Sequence, residues 1–189
     1  MAPTTAAAGP VRSLMEMRHE SVVLQNYDLS CGAAAIATIL NYQYGDKISE
    51  RDVAIQLIGQ ERYVRNPSLV RARLGFSLLD LKRFVDTRGY DGIGYGGLAF
   101  DDLIDRAPIM VPIRTSGYNH FVIFRGVLGN RVLLADPAYG NRTMTRRRFK
   151  RVWLDYRDLG NVGFIVARAG QQSPPGLLLA RTDHFLTLR

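Results

Sequence analysis

The spacing of apolar positions changes midway along this chain. Between residues 31 and 44 they run almost unbroken, which predicts a helix buried all round, with Ser30 or Asp28 as its cap and Gly45 as its stop. Ser49 followed by Asp52 reads as a capping box opening a second helix to about Gln60. Ser77 followed by Asp80 opens a third, whose Leu78, Leu81 and Val85 share one face before Gly89 ends it. Beyond these the apolar runs shorten and become β-branched and aromatic. They predict strands over 108–114, 120–127, 131–135 and 162–167, with Gly129-Asn130 as a hairpin turn, and Val22-Val23-Leu24 as a short strand ahead of the buried helix. Helices first and antiparallel strands later give an α+β fold, amino-terminal helices packed on an antiparallel sheet.

The chain has 189 residues, 47% hydrophobic and 22% charged, enough for one domain with a real core. The domain is expected over residues 21–168, with extensions at 1–20 and 169–189, the second opening on a Gly-Pro-Ser-rich stretch. The longest run without a strongly polar residue is the ten from Cys31 to Leu40. A membrane-spanning helix needs roughly 20, so no transmembrane segment is expected. The first ten residues lack the basic and apolar regions of a signal peptide, and their Ala-Ala-Ala-Gly-Pro stretch suits what remains after a leader is cut. Of the net charge of +8, most lies in residues 141–157, where seven basic residues face only Asp155. This run reads as a solvated face; without a base-reading motif beside it, no nucleic-acid partner is expected.

Cys31 is the one cysteine, so no internal disulfide holds the fold. Alone among small apolar residues it reads as core filler. Its place at a helix start, however, suits an anionic nucleophile, because unpaired N–H groups and the helix dipole point there, and Gly32 leaves room for a substrate carbonyl. Gln25, six residues upstream, could donate a second hydrogen bond beside the Cys31 N–H to the oxyanion of a tetrahedral intermediate. Of three histidines, His19 and His184 fall in the extensions and His120 begins a strong strand. Asp136 ends the partner strand. The pair is symmetric about residue 128 and lies face to face or within about three positions, where the carboxylate would fix the imidazole tautomer. One Cys and three dispersed His lack metal-ligand spacing, so neither metal nor cofactor is expected. Residues 92–97 satisfy Gly-x-Gly-x-x-Gly but belong to no βαβ unit, and read as a flexible loop.

Three blocks, Gln-Asn-Tyr-Asp-Leu-Ser-Cys-Gly-Ala-Ala at 25–34, Asn-His-Phe-Val at 119–122 and Asp-Pro-Ala-Tyr-Gly at 136–140, resemble in order and spacing the signature blocks of the C39 cysteine peptidases, the bacteriocin-processing or double-glycine peptidases. The resemblance covers roughly residues 20–167. It implies a papain-like α+β fold, with Cys31 as nucleophile, His120 as general base and then acid, Asp136 as its orienting partner, and Gln25 with the Cys31 N–H as oxyanion donors. It also implies a peptide or protein substrate linked to export. The best-known members are parts of ABC exporters, whereas this chain carries neither spans nor an ATP-binding loop. It is more similar to stand-alone C39-like proteins such as those of functional-amyloid secretion systems, which implies a secretion-system partner and a periplasmic location. The alternative is a catalytically silent C39-like module that binds a peptide in its groove, with a cytoplasmic location as the other compartment.

Overall fold

The computed structural model describes residues 12–59, 75–115, 117–170 and 176–188. The leader-like stretch in residues 1–10, the expected helix end at Gln60 and most of the linker-like 170–176 lie outside them. The buried helix, α2 (Cys31–Tyr44), ends as its sequence dictates: Gly45 takes a left-handed conformation, its N–H bonds the Asn41 carbonyl, and the next N–H, of Asp46, bonds the Leu40 carbonyl. Its beginning differs from expectation. Ser30 occupies the cap position but makes no side-chain cap bond. Its hydroxyl instead meets the Tyr27 carbonyl at 2.6 Å and the Glu50 carboxylate. The first-turn amides of α2 therefore receive no side-chain cap.

A short α1 (Leu14–His19) precedes α2, and α3 (Glu50–Ile58) and α4 (Leu78–Thr87) follow it, both opened by the expected Ser-Asp capping boxes. The strands are β1 (Tyr90–Tyr95), β2 (Ile109–Thr115), β3 (Tyr118–Leu128), β4 (Arg131–Asp136), β5 (Gly140–Thr145) and, after the small hairpin β6–β7 (Asp155–Tyr156 and Gly160–Asn161), β8 (Gly163–Arg168). All but that hairpin form one antiparallel six-stranded sheet ordered β1-β8-β2-β3-β4-β5. Two more helices, α5 (Phe100–Asp105) and α6 (Arg146–Val152), interrupt the strands.

Strand alternation sends side chains to opposite faces and so builds two cores. Met110, Ile123, Ala135, Phe164 and Val166 pack under α2, α3 and α4. Val111, Val122, Phe124, Val132 and Leu134 pack against Phe100, Phe149 and Trp153 of the opposite helices and the segment after α6.

Two expectations are corrected. Residues 22–24 form no strand: the Val23 N–H bonds the Thr38 hydroxyl at 2.9 Å and the Gln25 N–H bonds the Pro137 carbonyl at 2.8 Å, so a helix side chain and a loop take the place of a neighbouring strand. Most of the glycine-rich 92–97 is strand β1, paired along its length with β8. A Cβ on Gly92 would stand 2.8 Å from both Phe164 Cζ and Val85 Cγ2, so this glycine serves the close crossing of α4 over the sheet.

The segments flanking residues 21–168 contribute to the packing. Met17 of α1 packs with Leu133, and with Phe185 and Leu188 at the final helix α7 (Thr182–Thr187).

Candidate active site

Cys31 stands at the first turn of α2, buried with the helix. The loop that delivers it is held from α3, where buried Glu50 accepts from the Asn26 N–H at 2.9 Å and meets the Ser30 hydroxyl. Leu29 takes a left-handed φ of 66°, sparsely populated for a branched side chain, where the loop turns into the helix. Gly32 faces Leu81 Cδ1 at 3.2 Å and Phe121 Cδ2 at 3.3 Å from its hypothetical Cβ. Its small size thus seats α2 on α4 and β3; this corrects the expectation that it clears a path for substrate.

His120 is buried near the start of β3 and Asp136 ends β4. The register pairs Ile123 with Ala135, which sets Asp136 opposite Val122 when extended by one residue, two positions from His120 and on the same side of the sheet. The side chains close that gap: His120 Nε2 lies 2.6 Å from Asp136 Oδ1, which also accepts the Ala138 N–H at 2.9 Å. The Cys31 thiol borders the same cleft and acts on this ring, raising its proton affinity, so one ring stands between the first turn of α2 and the end of β4.

Burial disfavours the imidazolium, yet the bonds to Asp136 and Cys31 outweigh it and raise the His120 pKa to about 9. Burial works likewise against the Asp136 carboxylate, and His120, Arg142 and the Ala138 N–H hold its pKa below the ordinary aspartate value.

Of these groups Cys31 and His120 border a cleft of about 360 Å³, where with Asn119 they meet an apolar wall of Phe76, Leu78 and Tyr156. The wall suits an apolar side chain, while the polar end holds the reactive groups. Gln25 is half-buried, with its side-chain Nε2 only 3.4 Å from the Tyr27 carbonyl, a long contact.

The other histidines lie apart from this arrangement. His19 is exposed at the end of α1, and His184 is buried against Glu20 at 3.2 Å. The basic run 141–157 divides by strand and helix geometry. Asn141 is buried on the Met17 and Glu20 carbonyls. Arg146 and Lys150 flank the Phe100 ring, while Arg147, Arg148 and Arg151 are exposed on α6. Arg142 turns to the site, Nη2 2.6 Å from Asp136 Oδ2. Sequence reasoning missed it because β5, short and polar, was not read as a strand; its alternation was the signal available.

Residues 19–157 match the Peptidase C39 family. The chain is 36% identical over 187 residues to the probable functional amyloid protease FapD of Pseudomonas aeruginosa, covering 95% of this chain and 78% of that protein. It is 34% identical over 175 residues to the probable functional amyloid protease FapD of Pseudomonas fluorescens, covering 91% and 74%. Among solved structures, a double glycine motif protease from an AMS/PCAT transporter, in complex with the leader peptide, superposes with a TM-score of 0.60 at 22% identity, over 78% of this chain and 90% of that one. The peptidase domain of Streptococcus ComA, a bi-functional ABC transporter involved in a quorum sensing pathway, gives 0.61 at 18% identity, over 79% and 99%. The fold is thus the papain-like one. Cys31, the one thiol of the chain, borders a cleft together with His120 of a buried His–Asp pair; the chain is a cysteine peptidase and belongs to the Peptidase C39 family.

Proposed function

We propose that this protein is an endopeptidase that cleaves an exported peptide or protein by way of a Cys31 thioester. The observation that carries the proposal is the buried imidazole of His120, bonded to Asp136 at 2.6 Å and bordering the same cleft as Cys31. Cys31 gives its proton to His120, and the sulfur attacks the peptide carbonyl. Two donors receive the developing oxyanion, the Cys31 N–H in the first turn of α2 and the Gln25 side-chain amide, whose long contact to Tyr27 is weak enough to exchange. His120 passes its proton to the departing amine, then takes one from the water that hydrolyses the thioester. Asp136 fixes the ring by holding Nε2, which leaves Nδ1 to exchange the proton with sulfur.

The names of the relatives support a substrate linked to functional amyloid; the periplasmic location and the secretion-system partner rest on the resemblance to stand-alone C39-like proteins of functional-amyloid secretion systems. The leader peptide bound by the double glycine motif protease supports an extended segment lying in the cleft. The chain is expected to fold and act through residues 21–168, with the flanking segments braced against it.

The test compares purified wild type with Cys31→Ala on an extract of exported proteins, mapping new amino termini by mass spectrometry. New termini made by wild type alone are expected. Identical termini in both, together with iodoacetamide labelling of Cys31 at the same rate in wild type and His120→Ala, would overturn the proposal.

A further inference from the structure

We infer that Arg142 is a positioning residue of this site: its guanidinium engages the outer oxygen of Asp136 and thereby presents the inner oxygen to His120. The inference rests on the function proposed above and adds a fourth member to the array.

Asp136 has no exposed surface, so each of its oxygens needs a partner within the protein. Oδ1 receives His120 Nε2 at 2.6 Å and the Ala138 N–H at 2.9 Å. Oδ2 accepts no aligned hydrogen bond among the described residues; it meets only Arg142 Nη2, at 2.6 Å, in an ion pair. A buried carboxylate oxygen left without that charge would favour protonation of Asp136, or rotation of the carboxylate away from the ring.

Arg142 is itself held in place. It pairs across from Leu134 on β5, and its guanidinium stacks 4.9 Å from the Tyr139 ring centroid in the turn joining β4 to β5. The turn is fixed from outside by α1. Gly140 has a φ of 75°, and a Cβ there would stand 2.4 Å from the Arg18 carbonyl. Other titratable groups face this corner: Tyr118 and His120 from β3, Tyr139 from the turn and Cys31 from α2. None of these four is a permanent cation. Arg142 therefore keeps Asp136 charged whatever the protonation state of His120.

The test follows the ring signals of His120 by NMR against pH, in wild type, Arg142→Gln and Arg142→Lys, together with the rate of Cys31 labelling by iodoacetamide. In Arg142→Gln the low-pH inflection of the His120 signals, which reports protonation of Asp136, is expected to move up by about one pH unit. Labelling is expected to fall by up to about fivefold at pH 4 and less than about twofold at pH 7.5, with Arg142→Lys restoring both. Arg142→Gln curves superimposed on wild type overturn the inference. So does a loss of equal size at both pH values, which marks a structural role alone, or a failure of Arg142→Lys to rescue. Should Arg142→Gln not fold, wild type decides: an inflection below 3.8, the ordinary aspartate value, supports the inference and one at or above it overturns it. Wild-type labelling indifferent to His120→Ala instead overturns the proposed function, and the role of Arg142 with it.

Discussion

His120 lies 2.6 Å from Asp136, and two opposing effects set its proton affinity. Burial favours the neutral ring, but the bonds to Asp136 and Cys31 win, and the side chain is expected to titrate near 9 rather than at the ordinary 6.5. With three histidines in the chain, NMR resolves this directly; an inflection near 6.5 contradicts the assigned bonds. The sign of its effect on stability follows from linkage. A folded pKa raised above the unfolded value contributes stability that is whole below about 6.5 and is lost as pH rises through about 9. The difference in unfolding free energy between wild type and His120→Asn should therefore narrow between pH 6.5 and 9. Gln25→Ala should slow formation of the thioester by about 10² to 10³, the cost of removing one oxyanion donor, while leaving the fold intact. Unchanged acylation in that variant would remove Gln25 from the mechanism. At this scale Cys31, His120 and Asp136 were legible because their chemistry depends on residue type and on strand spacing. Arg142 was not, since a cation in a run of seven basic residues looks like its neighbours until the strand turns it inward.

The elements obey their local signals where capping and periodicity agree. Ser49 and Ser77 each accept from the backbone of the aspartate three residues on, as their spacing dictates, and Gly129-Asn130 makes the hairpin turn. Local signals mislead where a tertiary partner takes over. Residues 22–24 are apolar, but the Val23 amide finds a threonine hydroxyl and the next-but-one amide, of Gln25, a loop carbonyl. Strand β1 carries glycines that argue against a strand, yet Gly92 is what the crossing of α4 needs. Gly92→Ala brings a methyl group to 2.8 Å from Phe164 and Val85 and 3.0 Å from Lys82 Cα, which is helix backbone and cannot swing away. A loss of about 1 to 3 kcal/mol is expected, read as a lower urea midpoint with an unchanged slope. A wild-type midpoint would mean that α4 can lift at no cost.

Across the whole molecule the two chain ends meet at Glu20, which lies 2.9 Å from Arg12, 2.9 Å from Arg181 and 3.2 Å from His184. Burial raises its pKa, but these bonds outweigh burial and bring it down to about 2. The stability it contributes is therefore complete above about 4.5 and disappears as pH falls through about 2. Glu20→Gln should be less stable than wild type at pH 7, with the gap closing by pH 2; a gap constant across that range would assign the effect to packing instead. Buried Arg125 extends the tie, bonding the Leu178 carbonyl at 2.6 Å and Asn141 at 2.7 Å, while Asn141 reaches the carbonyls of Met17 and Glu20. The sequence by itself determined the buried helix that starts at the thiol, most of the main strands and the candidate residues Cys31, His120 and Asp136, because periodicity, capping and spacing are local properties. Only the tertiary structure decided which cation faces Asp136, that Gly32 serves packing, that Ser30 leaves the first turn of α2 without a side-chain cap, and that the chain ends brace the sheet. Each of these depends on distances between segments far apart in the chain, and no local pattern encodes them.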